Sequence, residues 1–312
     1  MFIMNAIVRK IKNLPVWLLM NVKPINRLFP DKLYIKVLYR LYTGHKLDLD
    51  NPQRFGEKLQ WIKLYGYQPI YTTLVDKYKV KKYVSELIGE DYVIPLLGVY
   101  DSFDEIDFDK LPKSFVIKCN HDSGSFLIVE DKQKLDKEKA KDFFNKRVKR
   151  NYFYLGRDIQ YKYIVPKIFI EQYMRDDLQT NNTLDDYKFL CFNGKPKIMF
   201  FASGRGNNRR FDFFDMNYNH LPIKFHYPNS STLPLKPKCF EEMKAVATKL
   251  CGNFPFMRID LYEINGKVYF GEYTLIHDGG LFPFEPAEWE QRLGDWINLP
   301  NENTSANENR LD

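Results

Sequence analysis

The most constraining stretch of this chain is Phe256–Leu275, in which two strand-like runs flank an Asn265-Gly266 pair. Asn and Gly tolerate the positive φ values of tight turns, so the stretch predicts a β-hairpin. On its first strand, the period of two puts Met257, Ile259 and Leu261 on one face and Arg258 and Asp260 on the other. Glu272 lies on the second strand, and its face depends on the turn. A three-residue loop with a Gly bulge aligns it with Asp260, whereas a strict two-residue loop opposes it. An Arg and two carboxylates sharing one sheet face would bind a phosphate and a hard cation together.

Charge is unevenly placed along the 312 residues. Residues 1–40 hold eight Lys/Arg and one acid, so the remaining 39 basic and 39 acidic residues cancel. A neutral body with no recognisable recognition motif argues against nucleic acid as a partner. Residues 1–30 contain no acid and mix Ile3, Ile7, Ile11, Trp17, Leu18 and Leu19 with Arg9, Lys10, Lys12, Lys23 and Arg27. Such an arm either rests on an anionic membrane face or docks as an ordinary helix with a solvated basic side. Cys119, Cys191, Cys239 and Cys251 show no metal-ligand spacing and read as reduced thiols of a cytoplasmic protein, with no convincing signal peptide.

Along the chain, helices are expected over Asp31–Tyr42, Phe55–Tyr65, Asp76–Ile88, Asp136–Arg150, Glu241–Leu250 and Pro286–Trp296, and a buried strand over Val93–Tyr100. Ser114–Cys119 is a strand with a single Lys118. The small-residue turn Asn120-His-Asp-Ser-Gly-Ser125 follows it, and then the strand Phe126–Glu130. Such a turn exposes N–H groups and hydroxyls to a phosphate, and a buried lysine needs a matching charge. His121 is either a ligand contact or a surface histidine. Pro166–Tyr173 is a strand ending in polar residues, suited to the edge of an adenine. A second Asn-Gly hairpin, at Asn193-Gly194, carries Lys188. The loop Ser203–Arg210 is basic and glycine-rich, suited to a phosphate or a substrate carboxylate through Arg205, Arg209 and Arg210. Asp48-x-Asp50 and Asp107-x-Asp109 are the triplets that a metal-dependent glycosyltransferase would use, and they are also ordinary loop acids.

Taken in this order, the Lys strand, the Ser-Gly loop, Ile168-Phe-Ile-Glu171, and Arg258-Ile-Asp260 with Gly271-Glu-Tyr-Thr274 resemble the ATP-grasp superfamily. Phe55-Gly-Glu-Lys-Leu-Gln-Trp-Ile-Lys-Leu-Tyr65, Ile94-Pro-Leu-Leu-Gly-Val-Tyr100, Phe115-Val-Ile-Lys-Cys-Asn-His121, Asp186-Tyr-Lys-Phe-Leu-Cys-Phe-Asn-Gly194 and Phe254-Pro-Phe-Met-Arg-Ile-Asp-Leu-Tyr262 are similar to its TupA-like branch, associated with teichuronopeptide and other bacterial surface polysaccharides. The resemblance covers about residues 50–300. It implies an α+β protein with two α+β lobes clamping ATP and a helical basic N-terminal extension. The segments would be a basic arm over 1–50, the N-terminal region and small lobe over 51–165, the large lobe over 166–300 and a disordered tail over 301–312. Lys118 would hold the α-phosphate, and Asn120, His121, Ser123, Gly124 and Ser125 would belong to the loop over the β- and γ-phosphates. Glu171, Gln172, Tyr173 and Met174 would form the adenine hinge. Lys188 would be a further phosphate or adenine contact, Arg258 would meet the γ-phosphate, and Asp260 and Glu272 would ligate Mg²⁺. The superfamily pattern has Asn two residues after that Glu; here Thr274 offers a hydroxyl oxygen.

The activity so implied is an ATP- and Mg²⁺-dependent carboxylate–amine ligase working through an acyl phosphate. Its partners would be a glycan or sugar-acid acceptor and a small amine, with Arg205, Arg209 and Arg210 on the acceptor side. A sugar-hydroxyl kinase of the same fold, a metal-dependent glycosyltransferase and an inactive membrane scaffold are the competing readings. On the metal assignment, the hairpin loop is expected to have an odd residue count, with a bulge at Gly266.

Overall fold

In a computed structural model, residues 20, 22–177, 184–204 and 208–300 are described. The expectations for the arm at residues 1–19, for Arg205 and for the tail over 301–312 therefore lie outside the described residues.

Strand-forming runs of two kinds build two sheets. Short runs of four or five residues make a four-stranded antiparallel sheet ordered β1-β4-β2-β3. Its strands are β1 (Leu96–Tyr100), β2 (Phe115–Cys119), β3 (Phe126–Val129) and β4 (Ile168–Gln172). Longer runs of six to nine residues, with the two-residue β8 at one edge, make a six-stranded sheet ordered β10-β9-β5-β6-β7-β8. It comprises β5 (Asp186–Phe192), β6 (Lys195–Ser203), β7 (Arg210–Asp215), β8 (His220–Leu221), β9 (Phe256–Ile264) and β10 (Lys267–Thr274). Both Asn-Gly pairs make two-residue turns, with φ of 46° and 78° at Asn193 and Gly194 and 51° and 74° at Asn265 and Gly266.

The helices are α1 (Lys23–Leu28), α2 (Asp31–Thr43), α3 (Phe55–Tyr65), α4 (Ile70–Val75), α5 (Lys79–Ile88), α6 (Lys137–Val148), α7 (Phe153–Gly156), α8 (Phe240–Leu250) and α9 (Glu288–Asp295). Helix α6 is capped by Asp136, whose carboxylate accepts the Lys139 N–H at 3.0 Å, and it buries Ala140 and Phe144 against the small sheet. The buried residues of α2 to α5 join those of α8 in the core of the large sheet. Strand β4, placed by the sequence beyond a boundary at 165/166, is instead central in the small sheet.

Three local expectations need correction. Strand β1 is an edge strand with Leu96 and Leu97 exposed, because β4 covers only one of its sides. The helix expected from Asp76 begins at Lys79, since the Asp76 carboxylate accepts the N–H groups of Tyr78 and Lys79 at 3.0 and 3.1 Å and acts as a cap. Its neighbour α4, β-branched and only six residues long, gave no helical period to read.

The third correction concerns the hairpin turn. Ile264 pairs directly with Lys267, so the loop has two residues and carries no bulge at Gly266. Counting from that turn would oppose Glu272 to Ile259 and bury its carboxylate in the core. The register instead slips at Gly271, between the Phe270–Leu261 and Glu272–Asp260 pairs. One extra residue turns every later side chain over, bringing Glu272 to the Asp260 face. A glycine stands there because a Cβ would lie 3.0 Å from the Asp260 carbonyl oxygen and from the Tyr262 ring.

Candidate active site

Antiparallel pairing lines up Glu272, Asp260 and Lys188 directly across β10, β9 and β5, so the three share one sheet face. Arg258 joins them from two residues earlier on β9. Its guanidinium donates to Asp260 through Nε at 2.7 Å and Nη2 at 2.8 Å, to Glu272 at 3.2 Å and to His277 Nδ1 at 3.1 Å. The Lys188 ammonium contacts Asp260 and lies 3.5 Å from Asp186. Lys77 reaches Glu272 at 3.0 Å. Three cations thus face three carboxylates, and each buried charge meets an opposite one.

Electrostatics follow from this packing. Burial alone would raise the Glu272 carboxyl, but Lys77, Arg258 and Lys188 outweigh it and hold it well below the carboxylate range. Burial would likewise depress Lys188, yet Asp186 and Asp260 push it up. Burial and the nearby Asp260 raise Asp186 in spite of Lys188. His277 is driven by burial down to about 3, so it is neutral at working pH and its Nδ1 lone pair accepts from Arg258. The turn carrying it, His277–Gly280, is clamped by α3. Gln60 donates to the carbonyls of Gly279 and Gly280, both at 2.8 Å, and Lys63 donates to that of Gly279 at 2.7 Å.

The small sheet supplies the opposite wall. Lys118 on β2 and Glu171 on β4 are diagonal neighbours on one face and form an ion pair, and Lys81 of α5 holds the same carboxylate at 2.9 Å. Burial would raise Glu171, but Lys118 and Lys81 keep it below its ordinary value near 4.5. The stability it contributes is therefore complete above about pH 4.5 and is lost as pH falls through the folded value. Thermal melts are expected to decline on acidification below that point, less steeply in Glu171→Gln. Gln172 is exposed and donates its N–H to the Pro95 carbonyl at 2.9 Å, while Tyr173 and Met174 are half-buried.

In the loop after β2, only Ser123 and Gly124 are exposed at the tip. Asn120 turns inward, donating to the Val165 carbonyl at 3.1 Å and accepting the Lys167 N–H at 2.7 Å. His121, read as a ligand contact or a surface histidine, is buried with Nε2 3.2 Å from the Arg147 carbonyl. Ser125 donates to Asp122 at 2.5 Å. Among the described residues, His121 Nδ1 and Asp122 Oδ1 find no hydrogen-bond partner. Lys77 connects the two walls, donating its N–H to the Asn120 carbonyl at 3.0 Å while its ammonium holds Glu272.

The other expected residues fall as follows. Thr274 pairs with Arg258 at the rim and shares the face of Glu272. The row Asp186–Ala202–Phe211 runs over β5, β6 and β7, and Arg209 lies over the rings of Phe211 and Tyr227 at 5.4 and 5.3 Å. Two strand spacings, ~10 Å, therefore separate that platform from Asp186. Arg210 donates to the Arg209 carbonyl at 2.8 Å. Both Asp-x-Asp triplets form local turns: Asp48 accepts the N–H groups of Asp50 and Asn51, and Asp107 accepts that of Asp109. The sequence did not single out Lys77 or Lys81, gave Asp186 no role beyond opening a motif, and read His277–Gly280 as a flexible turn beside the carboxylates. Lys77 and Lys81 sit in a run with Lys79 and Lys82, where nothing local separates site from surface.

The donor set suits a hard cation carried on a polyphosphate. Mg²⁺ takes one or two protein carboxylates and completes its shell with phosphate and water oxygens, and Asp260 and Glu272, paired across β9 and β10, could supply such carboxylates. Among the described residues no cluster of three or more His, Cys, Asp or Glu could hold a metal unaided. A cavity of about 340 Å³ beside Gly280 is lined by Tyr39, His45, Arg54 and Glu290 and includes none of these charged groups.

The family model for TupA-like ATP-grasp proteins matches residues 57–298. The chain belongs to this family. The two antiparallel sheets are thus the two lobes of an ATP-grasp fold, the fold of ATP-dependent carboxylate–amine ligases. Similar solved structures include D-alanine–D-alanine ligase from Bacillus anthracis complexed with ATP, at 15% identity and a TM-score of 0.37, covering 65% of this chain and 54% of that one. The D-alanine–D-alanine ligase of Helicobacter pylori is similar at 16% identity and 0.37, covering 78% and 69%. N5-carboxyaminoimidazole ribonucleotide synthetase from Thermus thermophilus is similar at 9% identity and 0.38, covering 78% and 54%. The TupA-like chain spans about half the length of the first and third of these. No curated protein matches it.

Proposed function

We propose that this TupA-like protein is an ATP- and Mg²⁺-dependent ligase that joins the carboxylate of a sugar acid, free or in a bacterial surface glycan, to a small amine. One observation carries the reading: the Gly271 bulge brings Glu272 to the face of Asp260, Arg258 and Lys188, and Lys77 links that face to the phosphate loop. A carboxylate oxygen attacks the γ-phosphorus, the bond to the β-bridging oxygen breaks, and ADP leaves. The amine then attacks the acyl phosphate, loses a proton, and phosphate departs. Mg²⁺, held by Asp260 and Glu272 with Thr274 at the rim, would neutralise phosphate charge. Arg258 orients the γ-phosphate and Lys188 offsets charge beside it, while Lys118 and the Asn120–Ser125 loop hold the rest of the polyphosphate. Glu171 to Met174 border the base. Arg205, Arg209 and Arg210 are the acceptor-side cations. Reduced thiols and an ATP substrate fit a cytoplasmic site of action.

The test is ADP release with Mg²⁺ in panels of sugar acids and amines, with hydroxylamine present to trap the acyl phosphate. A hydroxamate formed only with ATP and a carboxylate is the expected result. ADP release on a sugar hydroxyl without hydroxamate would instead make the protein a kinase. Thermal stabilisation by nucleotide sugars and not by ATP would favour a glycosyltransferase, but the local hydrogen bonding of both Asp-x-Asp triplets speaks against that outcome.

A further inference from the structure

Helix α3 turns a polar stripe inward. Gly56, Gln60 and Lys63, spaced by four and three residues, share one helical face, and all three are buried. Burying an amide and an ammonium is costly unless each finds partners, so the groups they hold carry the information. Lys63 uses all three of its protons, on the Gly279 carbonyl at 2.7 Å, the Gly156 carbonyl at 2.9 Å and the Asp158 carboxylate at 2.9 Å. Gln60 donates to the carbonyls of Gly279 and Gly280, and its Oε1 finds no partner among the described residues, so the hydrogen bonds of this side chain serve the turn alone.

The clamped turn needs such holding. Asp278, Gly279 and Gly280 have φ of 43°, 67° and 65°, and a non-glycine residue stays in that region only where its surroundings over-determine it. Helix and turn touch so closely that a Cβ on Gly280 would lie 2.7 Å from Gln60 Nε2. His277 opens the turn. Its ring stacks on Phe225 with centroids 4.7 Å apart, and its Nδ1 lies 3.1 Å from Arg258 Nη1. The stacked ring constrains the plane of the imidazole, and the backbone of the turn sets where in that plane Nδ1 stands.

We propose that Gln60 and Lys63 are positioning residues for phosphoryl transfer: they hold the turn, the turn places His277, and His277 aims Arg258. The inference rests on the role proposed above for Arg258 at the γ-phosphate. Lys63 also ties the turn to α7 and Asp158, so Gln60 is the cleaner probe.

The test starts from Gln60→Met, which keeps the side-chain length, removes both donors and leaves Gly279 bonded to Lys63. A kcat lower by about ten-fold is expected, with KM for ATP changed by less than roughly two-fold. In an Arg258→Lys background the same substitution should have almost no further effect, because it acts through the guanidinium, whereas a merely structural loss would multiply with that of Arg258→Lys. Lys63→Met combined with Asp158→Asn removes the buried pair together and should repeat the pattern. Nitrogen NMR of the His277 imidazole reads the link without any substrate: Nδ1 should lose its hydrogen bond in Gln60→Met. Absence of turnover by wild type with every acceptor removes the ligase reading and leaves the NMR comparison to decide the clamp. An unchanged His277 signal, losses that multiply with Arg258→Lys, or a raised KM at unchanged kcat overturns the proposal. Unfolding of both variants overturns it too, since the two side chains would then serve the fold.

Discussion

Asp260→Asn is expected to lose the proposed ATP-dependent turnover, with kcat lower by about 10²–10³. The substitution keeps the shape but removes the anion that Arg258 and Lys188 share at the centre of the sheet face. Asp260 is 1% exposed, so the two cations are left in a poorly hydrated wall with Glu272, Asp186 and Asp278 to offset them. Breaking a buried pair in this way costs about 3–5 kcal/mol, and the apo protein is therefore expected to melt earlier as well. Circular dichroism of the folded variant separates the two effects. A folded Asp260→Asn that turns over like wild type would remove Asp260 from the metal site.

Arg258→Lys keeps the charge and loses the geometry. The guanidinium makes two bonds to Asp260, one to Glu272 and one to His277, a planar arrangement that an ammonium cannot reproduce. With His277 neutral near working pH, its lone pair faces Arg258 and gives the guanidinium a fourth anchor. The expected result is a fall in kcat of about 10²–10³ with a smaller change in KM for ATP, since the adenine and α-phosphate contacts proposed for Glu171 and Lys118 would lie on the other sheet. A variant that raised KM alone would show that Arg258 binds nucleotide uniformly and leaves the transferring phosphoryl to other groups.

The TupA-like motifs were legible because they combine local signals: Asn-Gly turns, apolar strand periods and polar residues at fixed places within them. Helix α3 and strands β2, β4, β5, β9 and β10 stand where these signals put them. Lys77 and Lys81 were not legible, because each gains its meaning from a partner far away in sequence, Glu272 for Lys77 and Glu171 for Lys81. His121 reads as a loop residue and is buried because α6 and its following turn close over it.

The hairpin shows the division most directly. By itself the sequence determined that Phe256–Leu275 folds back on itself at Asn265-Gly266 and that Arg258 and Asp260 share a face, since these depend on backbone φ preference and a period of two. Only tertiary structure decided the face of Glu272. A two-residue turn sends its carboxylate toward the core. The slip at Gly271 returns it to Asp260 because burying a charge against Ile259 costs far more than one unpaired ladder residue.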